Sequence, residues 1–316
     1  MSSLVLPPGA FRLLLALAVL LSHISNFDVG RLAVLLFFYL SGYWIASIWA
    51  TKFGPGSAGR FYLSRFLRIW PLFLLVTLAS AWLRGSDLGL TNFTLLGLAA
   101  TGEASDPTTV SWSLDIELQF YLLAPFLLAL LNRHAVLTLA VATALVALGW
   151  WLDAAYAGLT VLKFLPAFLL GSLTYAHRWR PSYSVVSAGL LLFAAVTAYT
   201  AYTGMLWKSE PKAFDRDVYG LLWMLPMLPY VARSLTVKSG KVDRDLGNLS
   251  FPLYLVHPAV IYALGALGVG AAGKGLVLFV SLLAAVAIYY TLDRPLDRAR
   301  VRLTENSGRS PASKAA

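Results

Sequence analysis

Long apolar runs broken by short polar stretches fill the chain from about residue 10 to residue 292. A hydrocarbon core of roughly 30 Å takes about 17–25 residues of helix at 1.5 Å per residue. On that allowance the runs divide into ten spans: 10–28, 31–50, 67–84, 92–131, 135–152, 160–177, 183–204, 218–233, 246–265 and 275–292. The fourth is too long for one crossing and contains Thr101-Gly102-Glu103-Ala104-Ser105-Asp106-Pro107. It is therefore read as a short outer-face segment and then a helix from near Val110. The first run has no small-x-small cleavage site after it and is expected to stay as a span. The expected fold class is all-α, a polytopic transmembrane bundle of about ten helices. Residues 1–303 form one transmembrane domain, and Thr304 to Ala316, small and polar, a disordered C-terminal tail.

Composition agrees with this pattern. The chain is 59% hydrophobic and 13% charged, where soluble chains run at about 45–50% and 25%, so a soluble enzyme with one anchor is excluded. It has no cysteine, which removes thiolate metal sites and cysteine nucleophiles. The net charge of +10 suits cytoplasmic loops facing anionic lipid, and membrane lipids rather than nucleic acid are the expected partners. Placing the N-terminus inside puts eighteen of the 25 Lys and Arg on the inner side. Only Arg31, Arg84, Lys163, Lys208, Lys212, Arg216 and Lys274 remain outside. That asymmetry predicts N-in, C-in topology in the inner (cytoplasmic) membrane.

Ionisable groups inside a span are costly and therefore candidates for function. His23 follows Arg12 by eleven residues, about 16 Å of helix, near mid-bilayer. Glu117 precedes Arg133 by sixteen residues, about 24 Å. His257 follows Arg244 by thirteen, about 20 Å, with Pro258 expected to break or bend its helix. Each has a plainer alternative: an imidazole donating to a neighbouring carbonyl, a cap at a helix break, or for Glu117 an ion pair with Arg84 or Arg31. Arg65 and Arg68 share a helix face beside Ser64, where two guanidiniums suit a phosphorylated ligand, although positive-inside anchoring predicts the same pattern. The glycine-rich stretch before them lacks a P-loop ending. No metal is expected.

These residues fall into motifs. Arg12 and His23 make a basic-x10-His pair. Phe37-Phe38-Tyr39-Leu40-Ser41-Gly42-Tyr43 follows, then Arg65-Phe66-Leu67-Arg68 with Pro71. Trp112-Ser113-Leu114-Asp115-Ile116-Glu117-Leu118-Gln119-Phe120-Tyr121 comes next, and Leu249-Ser250-Phe251-Pro252-Leu253-Tyr254-Leu255-Val256-His257 is last. Five such motifs in order, from Arg12 to about Arg298, resemble the acyltransferase-3 family of integral membrane acyltransferases.

The resemblance implies transfer of an acyl group, most commonly acetyl, from cytoplasmic acyl-CoA to a hydroxyl of an envelope or exported carbohydrate or glycolipid. By the same resemblance His23 is the general base and Glu117 its orienting partner. Arg12, Arg65 and Arg68 hold the coenzyme, and Ser41, Trp112, Ser113 and His257 are substrate-facing or structural polar residues. Ser41, Ser111 and Ser113 are the candidates for an acyl-enzyme relay. Leu118 stands where the family has a second glutamate, so that carboxylate's role is missing. The stretch also ends soon after the tenth expected span, where some relatives continue into a further helix and an SGNH domain. A competing class is a transporter or flippase using the buried His and Glu as a proton relay. Paired interrupted segments in matching halves, which that class would favour, are not seen.

Overall fold

Apolar runs of this length satisfy their backbone polar groups only by coiling into helix, and the computed structural model does so throughout. It describes residues 5–101, 106–210, 215–269 and 273–304. In chain order the helices are α1 (Pro8–Ile24), α2 (Gly30–Ile48), α3 (Ala58–Arg84), α4 (Leu90–Thr94), α5 (Trp112–Arg133), α6 (Ala135–Tyr156), α7 (Val161–Ala176), α8 (Tyr183–Tyr202), α9 (Arg216–Met224), α10 (Leu228–Ser234), α11 (Lys241–Ala266), α12 (Lys274–Ile288) and α13 (Arg294–Thr304). Among the described residues no strand occurs, and one isolated antiparallel bridge joins Phe27 to Trp207.

Seven helical stretches among these residues are long and apolar enough to cross a bilayer, and Pro8–Ile24 and Val161–Ala176 are shorter apolar helices. The chain is thus a multi-pass, all-helical membrane protein. The run expected as one span over 218–233 is helical from Arg216 to Ser234, as α9 and α10 joined through a tighter helical turn at Leu225–Met227. Pro226 and Pro229 each lack the amide hydrogen that a regular turn of helix would use. The long fourth run divides as anticipated, into α4 and a helix beginning at Trp112. Residues 102–105, part of the expected outer-face segment, lie outside the described residues, as does the polar tail beyond Thr304.

The chain forms two compact units, residues 1–40 with 173–286 and residues 41–172 with 287–316. In the first, α1 and α11 pack at backbone contact. A Cβ on Gly9 would run into the carbonyl oxygen of Asp243, and one on Gly247 would stand 2.8 Å from the Gly9 Cα. Such closeness needs glycine on both helices. The Asp243 carboxylate also accepts from the amides of Gly9 (3.1 Å) and Ala10 (2.7 Å), so α11 caps the N-terminus of α1.

In the second unit Gly42 serves the same purpose against the Phe168 carbonyl, and the Ser172 hydroxyl bonds both Gly42 O and Phe168 O at 3.1 Å. Lys163, expected among the outer loop cations, is 2% exposed. Its ammonium pairs with Asp153 at 2.6 Å and lies 4.1 Å from the Trp150 ring centre.

Candidate active site

The first unit brings the two motif histidines together. His23 Nδ1 lies 3.2 Å from His257 Nε2, with ring centres 4.9 Å apart. The register follows from the anchor at the other end of the helix pair. Gly9 to His23 and Asp243 to His257 are both 14 residues, about 21 Å of rise, so two parallel helices that touch at Gly9 and Asp243 touch again at the two rings. His257 has no exposed surface. Pro258 neither breaks nor ends its helix: α11 runs on to Ala266. The proline removes the amide that would bond the Tyr254 carbonyl, and packing against α1 carries the helix through regardless.

Arg12 and His23 both lie on α1, which ends at Ile24, so that His23 stands in its last turn with an exposed face. Around this helix end Lys208 donates to the carbonyls of Ser22 and Ser25. The segments at Asn26–Asp28 and Leu206–Lys208 pair through two backbone bonds of 2.8 Å, Asp28 N to Leu206 O and Lys208 N to Asn26 O. Asp28 with Arg216, and Arg31 with Asp217 at 2.9 Å, close the same edge. Arg12 lies at the opposite end of α1, beside Gly247.

The second unit gathers the other motif residues. Glu117 Oε1 accepts from Ser41 Oγ and from Tyr121 Oη, both at 2.6 Å, so its partners are two hydroxyls rather than Arg84 or Arg31. Tyr121 in turn feels the charges of Arg65 and Arg68. Asp115 and Gln119, on another face of α5, bond Ala99 N (2.8 Å), each other (3.0 Å) and Val161 N (3.0 Å). The Trp112-to-Tyr121 motif therefore serves two faces at spacing i, i+4. Trp112 sits 6.1 Å from the Phe164 ring, and Ser113 donates to the Val110 carbonyl at 3.0 Å. Of the three candidate serines, Ser41 gives its hydroxyl hydrogen to the Glu117 carboxylate. Ser111 is bound to Thr108 and Asp106. Burial raises the Asp106 carboxyl above its ordinary range, although the Thr108 side chain and the amides of Thr108, Ser111 and Thr109 bond it and hold it down.

Arg65 and Arg68 have different surroundings. Arg68 pairs with Asp293 at 2.8 Å and stands 3.9 Å from Asp297. Arg65 donates to Ser64 Oγ at 3.0 Å, and Arg300 of α13 donates to the same oxygen at 2.6 Å while also bonding Asp297 at 3.0 Å. Asp293, Asp297, Arg300 and Tyr121 were missed from the sequence. The first three recur at i, i+4, i+7 on one helical face, a usable signal masked by counting the C-terminal cations only as topology markers.

Comparison with known proteins fits this arrangement. An acyltransferase domain of the acyltransferase-3 family matches residues 8–294. Nodulation protein 10 of Rhizobium leguminosarum bv. viciae is 28% identical over 274 residues, covering 74% of this chain and 73% of the relative. No solved structure matches. With the family match running over nearly all of the described chain and through both groups of motif residues, the protein belongs to the acyltransferase-3 family of membrane acyltransferases.

Proposed function

We propose that the protein transfers an acyl group, acetyl first among candidates, from acyl-CoA to a hydroxyl of an envelope or exported carbohydrate or glycolipid, with His23 as general base. The observation that carries the reading is the His23 ring, held at 3.2 Å against His257 in an exposed last turn. A proton acceptor needs both reach and a fixed orientation.

The acceptor hydroxyl gives its proton to His23 as its oxygen attacks the thioester carbonyl. The tetrahedral adduct collapses with loss of the C–S bond, and the imidazolium returns the proton to the leaving thiolate. The products are an ester, free coenzyme thiol and a neutral ring. Arg65 and Arg300, converging on Ser64, supply donors suited to the coenzyme phosphates. Arg68, already neutralised by Asp293, holds α13 in place beside them. The Asn26–Asp28 and Leu206–Lys208 pair, flanking the end of α1, forms the rim that meets the acceptor. The setting is the inner membrane, with the N-terminus inside and the coenzyme reaching its site from the cytoplasm.

Mass spectrometry of envelope and exported glycans with and without the gene product tests the reading. The wild-type protein adds one acyl mass to the acceptor, and His23→Ala, inserted and folded, loses it. Normal acylation by His23→Ala would refute the proposal.

A further inference from the structure

Two imidazole nitrogens 3.2 Å apart share one hydrogen, and its ownership decides where the remaining basic lone pair points. His257 Nδ1 lies 3.1 Å from the Leu253 carbonyl oxygen, and His23 Nδ1 lies 2.9 Å from that of Val19. A carbonyl oxygen only accepts, so each Nδ1 must carry a hydrogen. A neutral imidazole has one N–H, which leaves His257 Nε2 as an acceptor. It faces His23 Nδ1–H, a hydrogen divided between His257 and Val19. The opposite assignment, with His257 Nε2–H donating to His23, sets a bare Nδ1 lone pair against a carbonyl oxygen on both helices. Two repulsive contacts decide against it. Full burial of His257 favours its neutral form, the one this assignment requires.

We infer that His257 is a positioning residue: it holds His23 as the Nδ1–H tautomer and so makes Nε2, on the far side of the ring, the atom that receives the acceptor's proton. The inference rests on the reading of His23 as base. During transfer the hydroxyl proton arrives on His23 Nε2 while Nδ1–H stays in place. The bond to His257 then becomes charge-assisted and tightens. When the thiolate takes the proton back, the pair regains its original tautomers with nothing gained or lost. His257 thereby does with a neutral ring what an aspartate does in a serine-protease triad. The matched 14-residue arms of α1 and α11, pinned at Gly9 and Asp243, keep the two nitrogens in register.

The test uses the full-length protein in lipid nanodiscs with 15N-labelled histidine, together with His257→Gln and His257→Leu. Glutamine can place an amide oxygen near the lost Nε2, and leucine cannot. We expect the wild-type spectrum to show His23 protonated on Nδ1 and bare on Nε2. The leucine variant should show a mixture of tautomers and lose about tenfold or more in kcat, part of the 10²–10⁴ that a general base supplies. KM for thioester and acceptor should hold, and glutamine should restore most of the rate. A wild-type His23 carrying its hydrogen on Nε2 overturns the inference whatever the kinetics, and so does equal, undiminished kcat in both variants while His23→Ala is dead. Full activity of His23→Ala would instead remove the base itself. Should the leucine variant fail to fold, the wild-type spectrum and the glutamine variant still decide.

Discussion

The histidine pair of the first unit and the charged cluster of the second solve the problem of polar groups in apolar surroundings in opposite ways. The histidines lie against each other and each against a carbonyl of its own helix, with a face of His23 left open. The arginines are kept charged by carboxylates from the same unit, Asp293 and Asp297, and by a serine that two of them share. A neutral pair can take up and release a proton without rearranging its neighbours. A compensated charge cluster resists such change and is suited to holding something still.

Substitutions can break this contrast in graded steps. The largest effect belongs to His23→Ala, where acyl transfer should fall by about 10²–10⁴-fold with the fold intact, measured as turnover of labelled thioester. Next is Asp293→Ala, which removes the nearer of two carboxylates from the Arg68 guanidinium and leaves Asp297 at 3.9 Å: a loss of stability of about 1.5–3 kcal/mol is expected by thermal or denaturant unfolding. Asp293→Ala should leave the His23 tautomer untouched if the two regions work separately. Glu117→Leu abandons the buried Tyr121 hydroxyl, at about 1–3 kcal/mol, and the half-buried Ser41 hydroxyl at less. Glu117→Gln retains an acceptor and should recover most of that stability.

Gly247→Ala pushes α1 from α11 and should cost about 1–3 kcal/mol. It should also blur the histidine tautomers, which links helix packing to chemistry. The smallest effect is the pH response of Asp106. Its raised pKa means the native chain binds that proton more tightly than the unfolded one, so stability gains slightly as pH falls through the folded pKa to the ordinary carboxyl value and is lost again as pH rises. Asp106→Asn should flatten that part of a melting-temperature profile.

Much of this was readable from residue order, and what was hidden has physical causes. Apolar run length located the helices because lipid leaves the backbone no alternative to coiling. Over 218–233 the helix is there too, tightened for one turn around Pro226. His23, Glu117 and His257 stood out because ionisable groups are rare in such runs, and Arg65 and Arg68 because they share a face. Pairing was less legible where it joins residues far apart in the chain. Nothing local tells that His23 meets His257, that Glu117 meets Ser41, or that Arg68 meets Asp293. The matched spacing from the Gly9 and Asp243 contact to each ring was present in the sequence, yet it acquires meaning only once α1 and α11 are known to run side by side.

The equal arms of α1 and α11 act as a pair of rulers read from a common zero. One residue added to either arm, between its anchor and its imidazole, would swing that ring about 100° around its axis and carry it 1.5 Å up, parting the nitrogens without touching either histidine. Length changes in these two stretches are therefore tolerable only in step, so two segments more than two hundred residues apart in the chain are bound to vary together.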